Sequence, residues 1–356
     1  MITLRKSPGD MKNKINYNNT PIDWSVVHKV ISDAKSIMLT THENPDGDGL
    51  GAECGLYYHL EEQKKNVRII NYSPLPLEYG FLNQDKIFEC YDKNLHDDWI
   101  KNIDLVIIFD VGDYLRIRTL VDIIENYDKE TMNIDHHPHP NDNSFTYNLV
   151  DLSAAATGCM VYDYLKFARE DSILKKSLLG IYTAAMTDTG CFKYSNTDKK
   201  CHEIAIESLS LGIENHKIYQ NIYENSTKSR IKLMGNFLSN LNYELRGQLA
   251  WFTISEEMLN LANATKADID GFTDMVRTIN GVEVALMIFQ QDSTSCRINF
   301  RSKGKYSVND IAKNFGGGGH AFAAGAILNG SLMSVSGKVV NTTIKSIEKK
   351  MANNSI

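Results

Sequence analysis

Seven consecutive residues, His42-Glu43-Asn44-Pro45-Asp46-Gly47-Asp48, set one imidazole and two alternating carboxylates directly after an apolar run. Further along come Asp110, then Asp135-His136-His137, then Asp188, each again following an apolar segment. Carboxylates and imidazoles delivered repeatedly to the ends of buried segments are what a two-metal hydrolytic centre needs. The carboxylates of Asp46, Asp48, Asp110 and Asp188 together nearly neutralise two divalent cations, and crowding them in one cleft without cations is costly through like-charge repulsion. Oxygen-rich ligation with some imidazole suits manganese, magnesium, cobalt or iron better than structural zinc. Two such ions about 3.5–4 Å apart activate a water and stabilise both oxygens of an in-line displacement. Taken singly, each feature has a plainer reading. Asp110 alone is a helix cap or turn former, and His136-His137 alone is a surface pair before Pro138. Asp46-Gly47-Asp48-Gly49 resembles half a calcium loop, but position twelve of that loop would be Tyr57 instead of glutamate, so that reading fails.

The elements that must position these residues follow from hydrophobic patterning. Short apolar runs alternate with helical patterns through the first half, which predicts an α/β domain with a mostly parallel sheet flanked by helices. Strands are expected at Ser36–Thr41, Asn66–Asn71, Asp104–Phe109 and Thr131–Ile134, and helices at Gly51–Gln63, Ser153–Arg169 and Ile173–Met186. Gly49 and Gly51 should allow close approach at the start of the first of these helices. In open parallel sheets, sites collect at the carboxyl ends of strands, and His42, Asp110 and Asp135 each sit at such an end. Asp110 lies on the middle strand of the three, which makes it the candidate bridging carboxylate. From about residue 198 the strand signal gives way to polar helices, and from about 244 to hairpins, with Gly281–Gln290 and Ser295–Ser302 flanking a polar turn. Alternation along the second strand puts Arg297, Asn299 and Arg301 on one face, with the guanidiniums about 13 Å apart. The run Gly316–Gly319 permits left-handed backbone, and its N–H groups could form an anion nest.

The bulk properties bound the answer. A chain of 356 residues is long for one core, so two domains are expected. A net charge of −6 argues against a protein that coats long duplex nucleic acid, so any nucleic-acid partner should be short. The 6 cysteines form no CxxC pair, which points away from a zinc ribbon or disulfide framework and toward a reducing cytoplasm. No apolar run approaches membrane-span length. Residues 1–18 are read as a flexible extension, 19–200 as the catalytic domain, 201–243 as a helical linker, and 244–350 as a smaller substrate-binding α/β domain.

The motifs resemble the DHH phosphoesterases, named for the triplet that stands here as Asp135-His136-His137. The first motif is His42 through Asp48, the second Asp110-Val111-Gly112-Asp113 with Arg116 close behind, and the fourth Thr187-Asp188-Thr189-Gly190-Cys191-Phe192-Lys193-Tyr194. The resemblance implies one metal on His42, Asp46 and Asp110, and a second on Asp48, Asp110, His136 and Asp188, with Mn2+ expected and Mg2+ or Co2+ as alternatives. It implies that His137 faces the scissile phosphate and that Asp135 orients a histidine. Asp113 is equally a turn or cap residue. The second half resembles the DHHA1 domain through Arg301-Ser302-Lys303, Gly317-Gly318-Gly319-His320 and Ala323-Ala324-Gly325. This pairing without further domains is similar to the oligoribonuclease/pAp-phosphatase branch. By that resemblance, RNA of two to five nucleotides, or 3′-phosphoadenosine 5′-phosphate, binds in a cleft between the domains. Arg116, Arg297, Arg301, Ser302, Lys303, Gly317, Gly318, Gly319 and His320 would hold it. The alternatives are a phosphodiesterase for linear or cyclic dinucleotides (pApA, pGpG, cyclic di-AMP) and a catalytically silent nucleotide sensor. A homodimer is compatible with the sequence.

Overall fold

The computed structural model describes residues 15–139, 144–169 and 171–353. It divides into two compact units, Met1–Asn225 and Ser226–Ile356.

The first unit is built on a seven-stranded sheet: β1 (Ile15–Asn18), β2 (Ser36–Thr41), β3 (Asn66–Asn71), β4 (Phe88–Cys90), β5 (Leu105–Phe109), β6 (Glu130–Asp135) and β7 (Tyr147–Val150). The spatial order is β1-β7-β6-β5-β2-β3-β4, and every pairing is parallel. The order reverses between β2 and β5, so the switch point of the sheet lies where His42 and Asp110 emerge. The central strands read as unbroken apolar runs because both faces are covered. Ile37, Leu39, Ile107 and Phe109 enter one core, and Met38, Val106 and Ile108 enter the other. The helices of this unit are α1 (Trp24–Asp33), α2 (Gly47–Glu62), α3 (Lys93–Ile100), α4 (Thr119–Asn126), α5 (Thr157–Ala168), α6 (Lys175–Asp188), α7 (Lys199–Ser210) and α8 (Asn215–Tyr223).

One expectation needs correction. Ile15–Asn18, read as the end of a flexible extension, is the edge strand β1, in register with β7 from Ile15↔Tyr147 to Asn18↔Val150. Its polar sequence hid it, because the Asn16 side chain is satisfied only by its partner strand: Oδ1 accepts from Asn148 Nδ2 at 3.1 Å. Residues 1–14 lie outside the described residues. The stretch 201–243, expected as a helical linker, divides between the units. Cys201, Ile204, Ile213 and Ile218 are buried in the first core, whereas Leu233 and Phe237 of α9 (Lys228–Leu238) are buried in the second unit.

The second unit carries the mixed sheet β12-β13-β11-β10-β9-β8. Its strands are β8 (Asn242–Glu244), β9 (Leu249–Ile254), β10 (Val284–Gln290), β11 (Ser295–Ser302), β12 (Gly318–His320) and β13 (Ala323–Asn329). Only β9 and β10 pair in parallel, joined through α10 (Glu256–Ala262) and α11 (Phe272–Arg277). The unit closes with α12 (Asn309–Lys313) and α13 (Leu332–Asn353). Among the described residues no helix is long and apolar enough to cross a membrane.

The tightest packing in the first unit is between α2 and α6. Gly47, Gly51 and Gly55 form a ridge with a four-residue repeat, the spacing of one helix face. A Cβ on Gly51 would lie 2.4 Å from the Gly180 carbonyl oxygen, and one on Gly180 2.6 Å from that of Gly51. A Cβ on Gly47 would meet the Thr187 hydroxyl at 2.5 Å. The start of α2 therefore lies against the end of α6, which draws Asp48 toward Asp188. Gly51→Val should separate these helices and lower stability by about 3 kcal/mol or more. Gly80→Ala, where a Cβ meets nothing within 4 Å, should be near neutral. Thermal unfolding compares the two, and equal melting temperatures would count against the ridge.

Candidate metal centre

The loop after β2 is held from both sides. The Thr41 hydroxyl donates to the Phe109 carbonyl at 2.8 Å, and the Thr41 N–H to the Asn71 side chain at 2.9 Å. Asn71 in turn donates to the fully buried Glu53 at 3.0 Å. A Cβ on Gly49 would fall 2.2 Å from the Thr41 hydroxyl, so glycine there lets α2 start directly over the strand ends. Asp46 is the N-cap of α2 and accepts from the N–H groups of Asp48 at 3.1 Å and Gly49 at 3.3 Å. Asp110, first after β5, takes a left-handed backbone with φ 58°. A buried aspartate in that region costs about 1–3 kcal/mol. It donates its N–H to the Ile134 carbonyl at 3.1 Å, so the ladder to β6 continues while the chain turns its carboxylate into the site.

Asp48 reaches the N-terminus of α5, whose N-cap, Ala156, offers no side-chain oxygen. Its carboxylate accepts from Thr157 N–H at 2.7 Å and Gly158 N–H at 2.8 Å, supplying that cap from another helix. The Thr157 hydroxyl lies 3.4 Å from Asp110 Oδ1. Neither Thr157 nor Gly158 was singled out from sequence. The small-residue run Ala154–Gly158 signals a tight approach, but not that an aspartate some hundred residues earlier fills it.

The six candidate ligands converge as two groups that share Asp110: His42 with Asp46 and Asp110, and Asp48 with His136 and Asp188 beside Asp110. His42 Nε2 is 3.6 Å from Asp46 Oδ2 and 3.5 Å from Asp110 Oδ2. His136 Nε2 is 3.5 Å from Asp48 Oδ2, 3.6 Å from Asp110 Oδ1 and 3.7 Å from Asp188 Oδ2. Asp110 thus offers one oxygen to each histidine. These separations are long for hydrogen bonds. They match two donors on one cation at about 2.1–2.2 Å, which stand about 3–3.8 Å apart.

The tautomers agree with ligation. His42 Nδ1 is 2.7 Å from the Glu43 carbonyl and His136 Nδ1 is 3.1 Å from that of Ala154. A carbonyl only accepts, so Nδ1 carries the proton and Nε2 is turned to the carboxylates. His136 Nε2 is buried with no hydrogen-bond partner among the described residues. An orphaned nitrogen facing three carboxylate oxygens fits a divalent cation. The electrostatics agree. Burial, then the charges of Asp110 and Asp188, push Asp48 well above the usual carboxylate range. Burial, with the Asp110 and Asp46 charges, raises Asp188 to about 6 against the pull of His136. Burial alone would lower His42, but Asp110 and Asp46 outweigh it and raise it to about 10.

His137 is held differently. Its Nδ1 lies 2.9 Å from Asp135 Oδ1 and 3.2 Å from Asp110 Oδ1, and its N–H donates to Asp135 Oδ1 at 3.0 Å. Asp110 and Asp135 raise its imidazole to about 11 against the opposing effect of burial. Asp135 also accepts from Gly112 N–H at 2.7 Å and contacts the buried His139 Nε2 at 2.5 Å. His139 was missed from sequence, where it reads as one more residue after Pro138. The Glu43 carboxylate, inside the first motif, pairs bidentately with Arg118, and the Glu43 N–H donates to the Arg116 carbonyl at 2.8 Å. That clamp fixes the loop carrying Arg116, whose charge acts on His42. Asp113 caps the short 3-10 helix Tyr114–Ile117, accepting from Leu115 N–H at 2.9 Å.

In the second unit, Arg297, Asn299 and Arg301 share one face of β11, with Ile298 and Phe300 buried on the other. Arg297 donates to Asn299 at 3.0 Å, and Arg301 to Asp274 at 3.1 Å. Arg277, also missed, pairs with the same Asp274 at 3.3 Å. Ser302 is buried and accepts from Gly304 N–H at 3.1 Å, while Lys303 Nζ donates to the Ile279 carbonyl at 2.8 Å. The glycine run corrects an expectation. Gly316 and Gly317 donate their N–H groups to the carbonyls of Lys313 and Ala312, so they close α12 and leave no open nest there. Gly317 is required for space, since its Cβ would fall 2.1 Å from the Gly325 carbonyl. Gly318, Gly319 and His320 pair with Gly325, Ala324 and Ala323; the His320 side chain lies outside what is described.

A divalent cation entering this cluster must expel protons. Metal affinity is therefore expected to rise between pH 6 and 8, about tenfold per pH unit for each proton released. Calorimetry in two buffers of unlike ionisation enthalpy reads that release at pH 7; identical heats would show that the cluster binds without deprotonation.

Comparison with known proteins gives the same domain order. Residues 36–186 match the DHH family, N-terminal domain, and residues 256–352 match the DHHA1 domain. The chain is 27% identical over 305 residues to the bifunctional oligoribonuclease and PAP phosphatase NrnA of Bacillus subtilis, covering 84% of this chain and 91% of that protein. It is likewise 27% identical to the NrnA of Thermus thermophilus, covering 83% and 84%. The crystal structure of an exopolyphosphatase-related protein from Bacteroides fragilis superposes with a TM-score of 0.84 at 28% identity, covering 92% of this chain and 95% of that one. The chain belongs to the DHH family, with a DHH domain followed by a DHHA1 domain.

Proposed function

We propose that this protein is a metal-dependent phosphoesterase that hydrolyses RNA of two to five nucleotides to mononucleotides and converts 3′-phosphoadenosine 5′-phosphate to AMP. The observation that carries the reading is the pair of donor groups sharing Asp110, one oxygen toward each histidine. The relatives' names supply the substrate class. His42, Asp46 and Asp110 would hold one divalent ion, and Asp48, Asp110, His136 and Asp188 the other, with manganese the expected ion. Bound there, such ions supply Lewis-acid charge to phosphate oxygens and lower the pKa of an attacking water. Asp135 holds His137 with its Nδ1 occupied, so the ring's other nitrogen can donate a proton to the departing oxygen. Arg116 would bind the phosphate near His42. Arg297 and Arg301, with β12, would bind the part of the substrate that is not cut. The expected setting is cytoplasmic.

A panel of defined oligoribonucleotides from two to twelve nucleotides, with 3′-phosphoadenosine 5′-phosphate, pApA and cyclic di-AMP, run with manganese, tests this. Fastest cleavage is expected at two to five nucleotides; a preference for cyclic di-AMP would move the function to cyclic-dinucleotide hydrolysis. Asp110→Ala should lower kcat at least a thousandfold on every substrate, and full activity would refute the shared carboxylate. Arg301→Ala should mainly raise KM, as loss of uniform binding does; an unchanged KM would remove its binding role.

A further inference from the structure

The candidate ligands are unequally exposed. The side chains of His42, Asp48 and Asp110 are at most 4% exposed, whereas Asp46 is 59% and Asp188 33% exposed. Solvent, and hence substrate, reaches the cluster past Asp46 and Asp188. One exposed aromatic stands close to Asp188 in the chain. Tyr194 follows Asp188 by six residues.

Tyr194 is mounted as a platform. A Cβ placed on Gly190 would lie 2.4 Å from Tyr194 Cζ, 2.5 Å from Cε2 and 2.7 Å from Cε1. Three nearly equal distances put that point over the face of the ring, not at its edge. One face of the ring therefore covers Gly190, and the residue is still 56% exposed. Gly190 has φ 55°, so both the backbone and the ring above it require glycine. The loop is fixed around them. Cys191 N–H donates to the Met186 carbonyl at 2.7 Å, and the N–H groups of Lys193 and Tyr194 to that of Thr189 at 3.0 Å. The Asn196 side chain donates to the carbonyls of Asp188 at 3.2 Å and Ala155 at 3.0 Å. A single exposed tyrosine is ordinary. One with its inner face pinned on a glycine that stands two residues from the part-exposed candidate ligand Asp188 presents a rigid aromatic surface.

We propose that the outer face of Tyr194 is a nucleobase-stacking subsite that holds one base of a short oligonucleotide while the adjoining phosphate lies at the carboxylate cluster. The subsite rests on the phosphoesterase reading above and adds to it a contact on the catalytic unit itself. Stacking on an aromatic ring is tolerant of sequence, because every base has a π-face, so it suits an enzyme that takes short RNA of any composition. It also favours a nucleotide over a phosphodiester without a base.

The test pairs a deletion in the protein with a deletion in the substrate. KM and kcat are measured with manganese for pApA and for two analogues, each lacking one adenine. Tyr194→Ala should raise KM for pApA about fivefold to a hundredfold, the range lost with one base–aromatic stack, with kcat within threefold. On the analogue lacking the stacked base, wild type and variant should be alike. Tyr194→Phe and Tyr194→Trp should retain the wild-type KM. An unchanged KM in Tyr194→Ala would overturn the subsite, as would an equal loss on pApA and both analogues, which is what a purely structural cover for Gly190 would give. If the wild type cleaves none of the oligonucleotides but does hydrolyse 3′-phosphoadenosine 5′-phosphate, the oligonucleotide reading fails and the subsite falls with it.

Discussion

The constraint on which this structure turns is the convergence of four carboxylates on two imidazoles at donor separations of 3.5–3.7 Å. Nothing in ordinary packing rewards this. The two N–H groups at the start of α5 that bind Asp48 are each worth about 1.5–3 kcal/mol as hydrogen bonds to a charged group. That does not offset crowding several like charges in a largely buried site, where each ion loses several kcal/mol of hydration. Without cations, Asp48, Asp188 and His42 are therefore all pushed toward their protonated forms. Divalent cations satisfy the same oxygens without that penalty.

The rest of the first unit reads as the means of holding this cluster in place. The glycine ridge lets α2 meet α6 backbone to backbone, so that Asp48 and Asp188, far apart in the chain, approach one histidine. The reversal of strand order between β2 and β5 brings His42 beside Asp110. The left-handed turn at Asp110 spends backbone strain to aim one side chain at both groups. Three histidines of the same type then acquire two fates from what Nδ1 touches. A carbonyl at Nδ1 leaves Nε2 of His42 and His136 turned to the carboxylates, while at His137 it is Nδ1 that meets Asp110 and Asp135, which together make that imidazole strongly basic.

The second unit, from Ser226 on, carries 15 Lys and Arg against 10 Asp and Glu, so it is net positive although the whole chain is −6. Arg301 shares Asp274 with Arg277, so those three side chains together carry about one net positive charge. Partial neutralisation of this kind suits a short anionic ligand in place of a long one. The glycine run serves space as much as binding: Gly317 lets β13 pass, and its N–H closes α12.

Much of this was legible in the sequence, for physical reasons. A strand buried on both faces must be continuously apolar, so β2, β3, β5 and the residues at their carboxyl ends could be read directly, and ligand chemistry named His42, Asp46, Asp48, Asp110, His136 and Asp188 by type. Strand alternation put Arg297 and Arg301 on one face. What depends on contacts between distant segments was not legible. β1 is polar and exists only through its pairing with β7; His139 matters only because Asp135 turns toward it; Thr157 and Gly158 bind Asp48 only because two glycine-lined helices allow the approach. The sequence by itself determined which groups could bind metal and phosphate, since that is a property of side chains. The tertiary structure decided which of them meet, how far apart, and with which nitrogen free, because those follow from close packing and from the hydrogen-bond partners that only the folded chain brings together.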